Sequence, residues 1–193
     1  MGTASSSDPA AVVLGLARAR PATLGGGRLV CVDGPAGSGK TTLAGRIGAL
    51  GDAPVLHMDD LYDGWDGLPR VGDQLGTLLL PLARGEAGRY RRYDWHAGAY
   101  AGTVTVPPAP LRVLEGVGAG SAAYAALATV LVWVEAPADL RLARGLARDG
   151  AAVEPHWHRW GVAEAAHFAA DGTRARADVL VDGTGRTPAV HLG

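Results

Sequence analysis

The feature that most constrains this chain is a short apolar run, Arg28-Leu-Val-Cys-Val-Asp33, feeding directly into Gly34-Pro-Ala-Gly-Ser-Gly-Lys-Thr41. The run reads as a buried strand, and residues 42–50 behind the loop read as a helix. The spacing G-x-x-x-x-G-K-T between them is that of a phosphate-binding loop. Its glycines let backbone N–H groups curl around phosphate oxygens with no Cβ in the way. The following helix points its positive end at the same anion. Lys40 is the only lysine; the rest of the 18 basic side chains are arginine. An ammonium is a compact charge on a flexible stem, which a planar guanidinium does not imitate. A lone Lys in an otherwise arginine-only chain therefore points to a chemical requirement. Gly34, Ala36, Gly37, Ser38, Gly39, Lys40, Thr41 and Thr42 are the expected nucleotide contacts, with the Thr41 hydroxyl available to Mg²⁺.

Around this loop the chain alternates between strand and helix patterns. Further β-rich runs fall at 54–58, 111–114, 129–134 and 177–181, and helical stretches at about 9–20, 73–84, 121–127, 137–148 and 155–170. Alternation predicts an α/β fold in three layers, a five-stranded parallel sheet with helices on both faces. Residues 90–95 and 102–106 break the pattern and read as a small hairpin overhanging the site. At 193 residues, and with no linker or internal repeat, the chain reads as one domain spanning 1–193, with a frayed start at 1–7.

Composition removes several classes of function. The formal net charge of −1, with no long basic block, argues against nucleic acid or an anionic membrane as a main partner. No apolar run approaches the ~20 residues a bilayer span needs, and the apolar start at 10–16 lacks a basic leader. The single Cys31 lies in the first strand and reads as a buried, inert thiol. These readings point to the cytoplasm, and they leave a homo-oligomer open.

Ligands of such sheets bind beyond the carboxyl ends of the strands. Asp59 and Asp60 follow the second strand there, and Glu115 ends the third. A kinase needs a metal partner and a group to receive the acceptor proton. Glu115 is placed for the first, and one of the adjacent Asp59 and Asp60 for the second, since like charges raise one pKa. Arg141, Arg144 and Arg148 recur at helical spacing. That spacing fits either a solvated helix face, paired to Asp139 and Asp149, or a lid over the phosphates within 143–160. Trp65 and Trp95 fit either base stacking or ordinary packing, whereas Trp157 and Trp160 read as core contacts. His156 and His158 lie two apart, on different helix faces, which argues against a metal site.

Together these residues resemble the uridine kinase family, related to phosphoribulokinase and bacterial pantothenate kinase. The matching blocks are G-P-A-G-S-G-K-T-T at 34–42, D-D-L-Y at 59–62, Y-D-W through T-V-T-V to L-E-G at 93–116, and D-L-R-L-A-R-G-L-A-R-D at 139–149. A weaker match, A-D-V-L-V at 177–181, resembles the family's last strand. The resemblance implies a P-loop kinase fold and ATP-dependent transfer to a hydroxyl of a small molecule, a uridine- or cytidine-type nucleoside. It implies Asp59 as the base, Thr41 and Glu115 around Mg²⁺, and Arg144 and Arg148 in the lid. Tyr62 accompanies Asp59 on the substrate side. Tyr93 and His96 lie on the hairpin that touches the base, and Asp66 stands where the ribose hydroxyls are held. The chain departs from the family at Asp66-Gly-Leu-Pro69 and in a shortened 62–66 segment. Both belong to the acceptor pocket, so the resemblance implies kinase chemistry more firmly than it implies the nucleoside. Another small alcohol (a sugar, a pantothenate-like alcohol or a nucleotide) is the alternative acceptor. A non-catalytic nucleotide-binding regulatory module is the alternative of another class. The chain has no N-K-x-D, no L-S-G-G-Q and no strand ending in Asp-Glu, which argues against a switch or motor.

Overall fold

The computed structural model describes residues 8–192, so the expected frayed start at 1–7 lies outside the described residues. Asp8 caps α1 (Pro9–Ala19) by accepting the Ala10 N–H at 3.1 Å, and Pro9 occupies the first turn, where its missing N–H leaves no bond unmade. Then come β1 (Arg28–Asp33), α2 (Lys40–Gly51) and β2 (Val55–His57). Two 3₁₀ turns, Met58–Asp60 and Leu68–Arg70, lead to α3 (Val71–Ala83). The hairpin β3 (Gly88–Asp94) and β4 (Ala99–Val106) precedes β5 (Leu111–Glu115) and β6 (Val130–Glu135). The chain closes with α4 (Ala138–Asp149), α5 (Glu154–Asp171), α6 (Thr173–Arg176), β7 (Val179–Asp182) and β8 (Val190–His191).

The main sheet runs β2-β5-β1-β6-β7-β8 and has six strands, not the five expected. Five are parallel; the sixth, β8, is only two residues long and pairs antiparallel with β7, too short for any periodicity to announce it. The expected helix at 121–127 is instead a 3₁₀ segment, Ala122–Leu127. The hairpin forms its own antiparallel pair.

Strand pleating divides the core into the two expected layers. Leu29 and Cys31 of β1 join Leu114, Leu131 and Trp133 on one face, packed with Leu75, Leu78 and Leu82 of α3 and Trp160 of α5. Val30 and Val32 face the other way, with Val113, Val130 and Val132 against Val13 of α1 and Ile47 of α2. Packing decides α2 in particular. Gly45 and Gly48 cost roughly 1 kcal/mol each relative to Ala in a helix interior. Burying Leu43 and Ile47 returns roughly 1.5–3 kcal/mol each, so the tertiary contact outweighs the poor propensity.

The strand order brings β2, β5 and β1 side by side. Register pairs His57 with Glu115 and Val32 with Glu115, so the carboxyl ends of all three strands open on one edge, next to the phosphate-binding loop.

Candidate active site

The loop between β1 and α2 adopts a conformation that only glycine tolerates at its turning points. Gly34 has φ +138°, and a Cβ there would overlap the Val134 carbonyl oxygen of β6. Gly37 has φ +76°, and a Cβ would sit 2.5 Å from the Arg141 carbonyl oxygen of α4. Ser38 is fully buried, its hydroxyl without a hydrogen-bond partner among the described residues. Lys40 opens α2 and is only 7% exposed. Its Nζ donates to the Pro35 carbonyl at 2.9 Å, so the ammonium lies folded into the loop it serves. Burial lowers the Lys40 pKa, opposed by the carboxylates of Asp33, Glu115, Asp59 and Glu164.

Next to Lys40, Thr41 and Glu115 meet. The Thr41 hydroxyl donates to Glu115 at 3.2 Å and 3.3 Å, and Glu115 is nearly buried. On its other side, His57 Nδ1 lies 2.6 Å from Glu115 Oε1. That hydrogen bond raises the His57 pKa against the opposing effect of its partial burial. Among the described residues no three His, Cys, Asp or Glu side chains converge as a self-sufficient metal site. A hydroxyl and one carboxylate beside an anion-binding loop still suit Mg²⁺, which takes few protein ligands and fills its shell with phosphate oxygens and water.

Asp59 and Asp60 leave β2 on the 3₁₀ turn, which turns successive side chains about 120° apart. They diverge accordingly. Asp60 accepts from the Tyr90 hydroxyl of the hairpin at 3.4 Å. Asp59 is exposed at the carboxyl end of β2, within electrostatic reach of Glu115, Lys40, Arg148 and His57. Desolvation, and next the charge of Glu115, raise its pKa; Lys40, Arg148 and His57 pull the other way.

The hairpin overhangs this floor as expected, and named contacts hold it there. Gln74 of α3 clamps the Arg91 backbone, donating to its carbonyl at 3.0 Å and accepting its N–H at 3.1 Å. The Trp95 indole donates to the Asp59 carbonyl at 2.9 Å. Trp95 meets Trp65 edge-on at 5.4 Å and Tyr93 at 5.4 Å, while Trp65 stacks on His156 of α5 at 5.3 Å. Tyr93 is thus part of an aromatic wall. His96 sits exposed at the hairpin turn, its N–H bonded to the Asp94 carboxylate. Asp66 is exposed on the 62–66 segment. Tyr62 lies elsewhere: it is buried in the core with its hydroxyl donating to the Val117 carbonyl at 2.6 Å and its ring against Trp160. The same 3₁₀ turn that leaves Asp59 exposed carries Tyr62 into the interior.

The three arginines of α4 do not act alike. Arg144 donates to the Gly37 and Gly183 carbonyls, between the loop and the turn after β7. Arg148 is paired with Asp149 at 2.6 Å and lies within electrostatic reach of Asp59 and Glu115. Arg141 instead turns inward to the Ala36 carbonyl and to Glu164. Beyond Arg144 a cavity of about 760 Å³ opens, lined by Gly39, Thr42, Leu43 and the 182–188 turn.

Three residues here belong to no motif in the sequence. Asp33 is fully buried and accepts the N–H groups of Gly34, Gly118 and Gly120, tying the phosphate loop to the turn after β5. Burial raises its pKa, and those amides and Lys40 lower it. Its position at the very end of β1, directly before Gly34, was the available hint. His57 and Glu164 are the other two.

A parallel sheet of this order, with a phosphate loop after β1 and acids at the neighbouring strand ends, is the P-loop kinase fold. Solved structures that share it include a possible uridine kinase from Bacillus stearothermophilus, 20% identical, with a TM-score of 0.56 over 81% of this chain and 89% of that one. A candidate fructose transport system kinase from Silicibacter is 24% identical, with a TM-score of 0.58 over 84% of this chain and 94% of that one. At this identity the shared property is the fold. No family model and no curated protein matches the chain.

Proposed function

We propose that this chain is an ATP-dependent kinase that transfers the γ-phosphate to a hydroxyl of a small molecule, a uridine- or cytidine-type nucleoside. The observation that carries the reading is the convergence of Lys40, the Thr41–Glu115 pair and Asp59 at one sheet edge. Phosphoryl transfer needs little covalent chemistry from protein; it needs positioning and charge neutralisation. Backbone N–H groups of 34–42 cradle the phosphates, and Lys40 exchanges the Pro35 carbonyl for the terminal phosphate oxygens. Thr41 and Glu115 hold Mg²⁺, which when bound neutralises charge on the phosphates. Asp59 orients the acceptor hydroxyl and receives its proton, a role its raised pKa suits. Arg144 and Arg148 add positive charge from the lid side. The nucleotide's base fits the cavity beyond Thr42 and Arg144. Among the described residues no helix is long and apolar enough to cross a membrane.

The acceptor is the finer part of the reading. Tyr93, Trp95 and Trp65 offer flat apolar surface beside Asp59, which favours a planar base. One observation favours a smaller, sugar-like alcohol: Trp65 is already engaged by Trp95, Trp160 and His156, narrowing the space between hairpin and α5. Nucleotide turnover measured with and without uridine, cytidine, sugars and pantothenate separates these. The kinase reading expects ADP formation to depend on one acceptor class. Equal ADP formation with and without every acceptor supports a switch or regulatory module instead.

A further inference from the structure

Glu164 of α5 is a carboxylate only 4% exposed, and it makes direct contact with the main chain of an anion-binding loop. Its Oε2 accepts the Ala36 N–H at 2.8 Å, and its Oε1 lies 3.0 Å from Arg141 Nη1 of α4. That same Nη1 donates to the Ala36 carbonyl at 3.2 Å, and Arg141 Nε donates to the Ala136 carbonyl at 3.1 Å. Both polar groups of Ala36 are thereby gripped from one side by a single ion pair. Gly37 presses its α-carbon toward the Arg141 carbonyl, so the next residue is held against α4 as well.

A buried ion pair is a poor way to gain stability, because desolvation offsets most of the attraction. A negative charge beside a phosphate site also opposes an incoming anion unless it is neutralised locally, as Arg141 neutralises this one. Both costs suggest that the pair is kept for geometry. We infer that Glu164 and Arg141 form a positioning pair that fixes the first arm of the phosphate loop, 35–37, to the base of the lid, and so sets nucleotide affinity from outside the loop. The inference rests on the nucleotide-binding part of the proposed function. It takes Arg141 out of the lid arginines and gives α5 a part in phosphate binding.

The test compares wild type with Glu164→Gln, Glu164→Ala and the double variant Glu164→Ala/Arg141→Ala. Calorimetric titration with ADP and with a nonhydrolysable ATP analogue gives affinity, and thermal melts give stability. Glu164→Gln keeps one oxygen to accept the Ala36 N–H but sets its NH2 against Arg141, so it is expected to melt lower while binding nucleotide within a few-fold of wild type. Glu164→Ala is expected to weaken nucleotide binding about tenfold or more, the scale of one lost charge-assisted hydrogen bond. It should also melt lower, because it strands the Arg141 charge. The double variant removes that stranded charge, so its melting temperature recovers toward wild type while its affinity stays weak. A merely structural pair predicts the opposite, with affinity recovering alongside stability, and that result overturns the inference. So does wild-type affinity in Glu164→Ala. If Glu164→Ala does not fold, the double variant decides the matter alone: weak affinity with recovered stability supports the inference, and wild-type affinity overturns it. Wild type that binds neither nucleotide overturns the functional reading itself and this inference with it.

Discussion

The two halves of the cleft are built differently. On the phosphate side, the charged groups are fixed by hydrogen bonds within the sheet and its loops: Asp33 on three amides, Lys40 on Pro35, Thr41 and His57 on Glu115. On the acceptor side, aromatic rings meet edge-on beneath a hairpin tied to α3 by Gln74 and to the turn after β2 by the Trp95 indole and the Tyr90 hydroxyl. The first arrangement is rigid and polar, the kind of site that the proposed phosphate transfer requires. The second is apolar and adaptable, and it defines a shape more than a chemistry. The proposed chemistry therefore rests on fixed polar geometry, and the proposed acceptor on apolar shape.

Substitutions sharpen that contrast. The largest effect is expected for Lys40→Arg, which should lower turnover by roughly 10²–10³-fold, the scale of losing one preorganised charge donor. The guanidinium keeps the charge but has to fit a slot only 7% exposed, while circular dichroism and melting should show the fold retained. Turnover equal to wild type would break the claim that the phosphate side is built for an ammonium. Arg148→Ala and Arg144→Ala come next, lowering kcat by about tenfold with smaller changes in nucleotide affinity, as interactions made mainly in the transition state do. Loss of solubility with unchanged kcat in both variants would return α4 to an ordinary solvated helix face. Trp95→Phe keeps an aromatic ring but loses the bond to the Asp59 carbonyl. It should raise the acceptor KM by a few-fold, on the order of one neutral hydrogen bond, and leave the nucleotide KM unchanged. A raised nucleotide KM would mean that the two halves are not separable. Asp60→Asn is expected to be the mildest change, because its carboxylate faces Tyr90 of the hairpin.

What the chain reveals when read as a string follows the same division. The strand, loop and helix of 28–51 are contiguous in the chain, so spacing alone was enough to place them. Glu115 was legible because an acid ends an apolar run. Asp33 was not, because its partners Gly118 and Gly120 lie 85 and 87 residues away and appear only when β5 docks beside β1. The contact of Glu164 with Ala36 spans 128 residues and follows no motif. Tyr62 shows the converse failure. A four-residue block that includes Asp59 suggests that both face the substrate, but the 3₁₀ turn at 58–60 sends Tyr62 into the core. Arg141 likewise shares helical spacing with Arg144 and Arg148 and yet points inward. The aromatic wall joins Trp65, Trp95 and His156 from three separate segments, so composition alone could not separate stacking platforms from packing.

The central claim is that a phosphate side and an acceptor side meet at Asp59. Asp59→Asn tests it most directly, with acceptor-dependent turnover, nucleotide-analogue affinity and a pH profile measured on the same preparation. The amide keeps the shape of the side chain, so affinity for the analogue should stay near wild type while turnover falls roughly 10²-fold or more. In wild type, activity should rise with pH along an acid limb above that of an ordinary aspartate, because desolvation and Glu115 raise the Asp59 pKa and only the ionised form accepts a proton. That limb should be missing from the residual activity of Asp59→Asn. Undiminished turnover with the acid limb intact would contradict the account, and a larger loss in Asp60→Asn would show that the proton acceptor is the neighbouring residue.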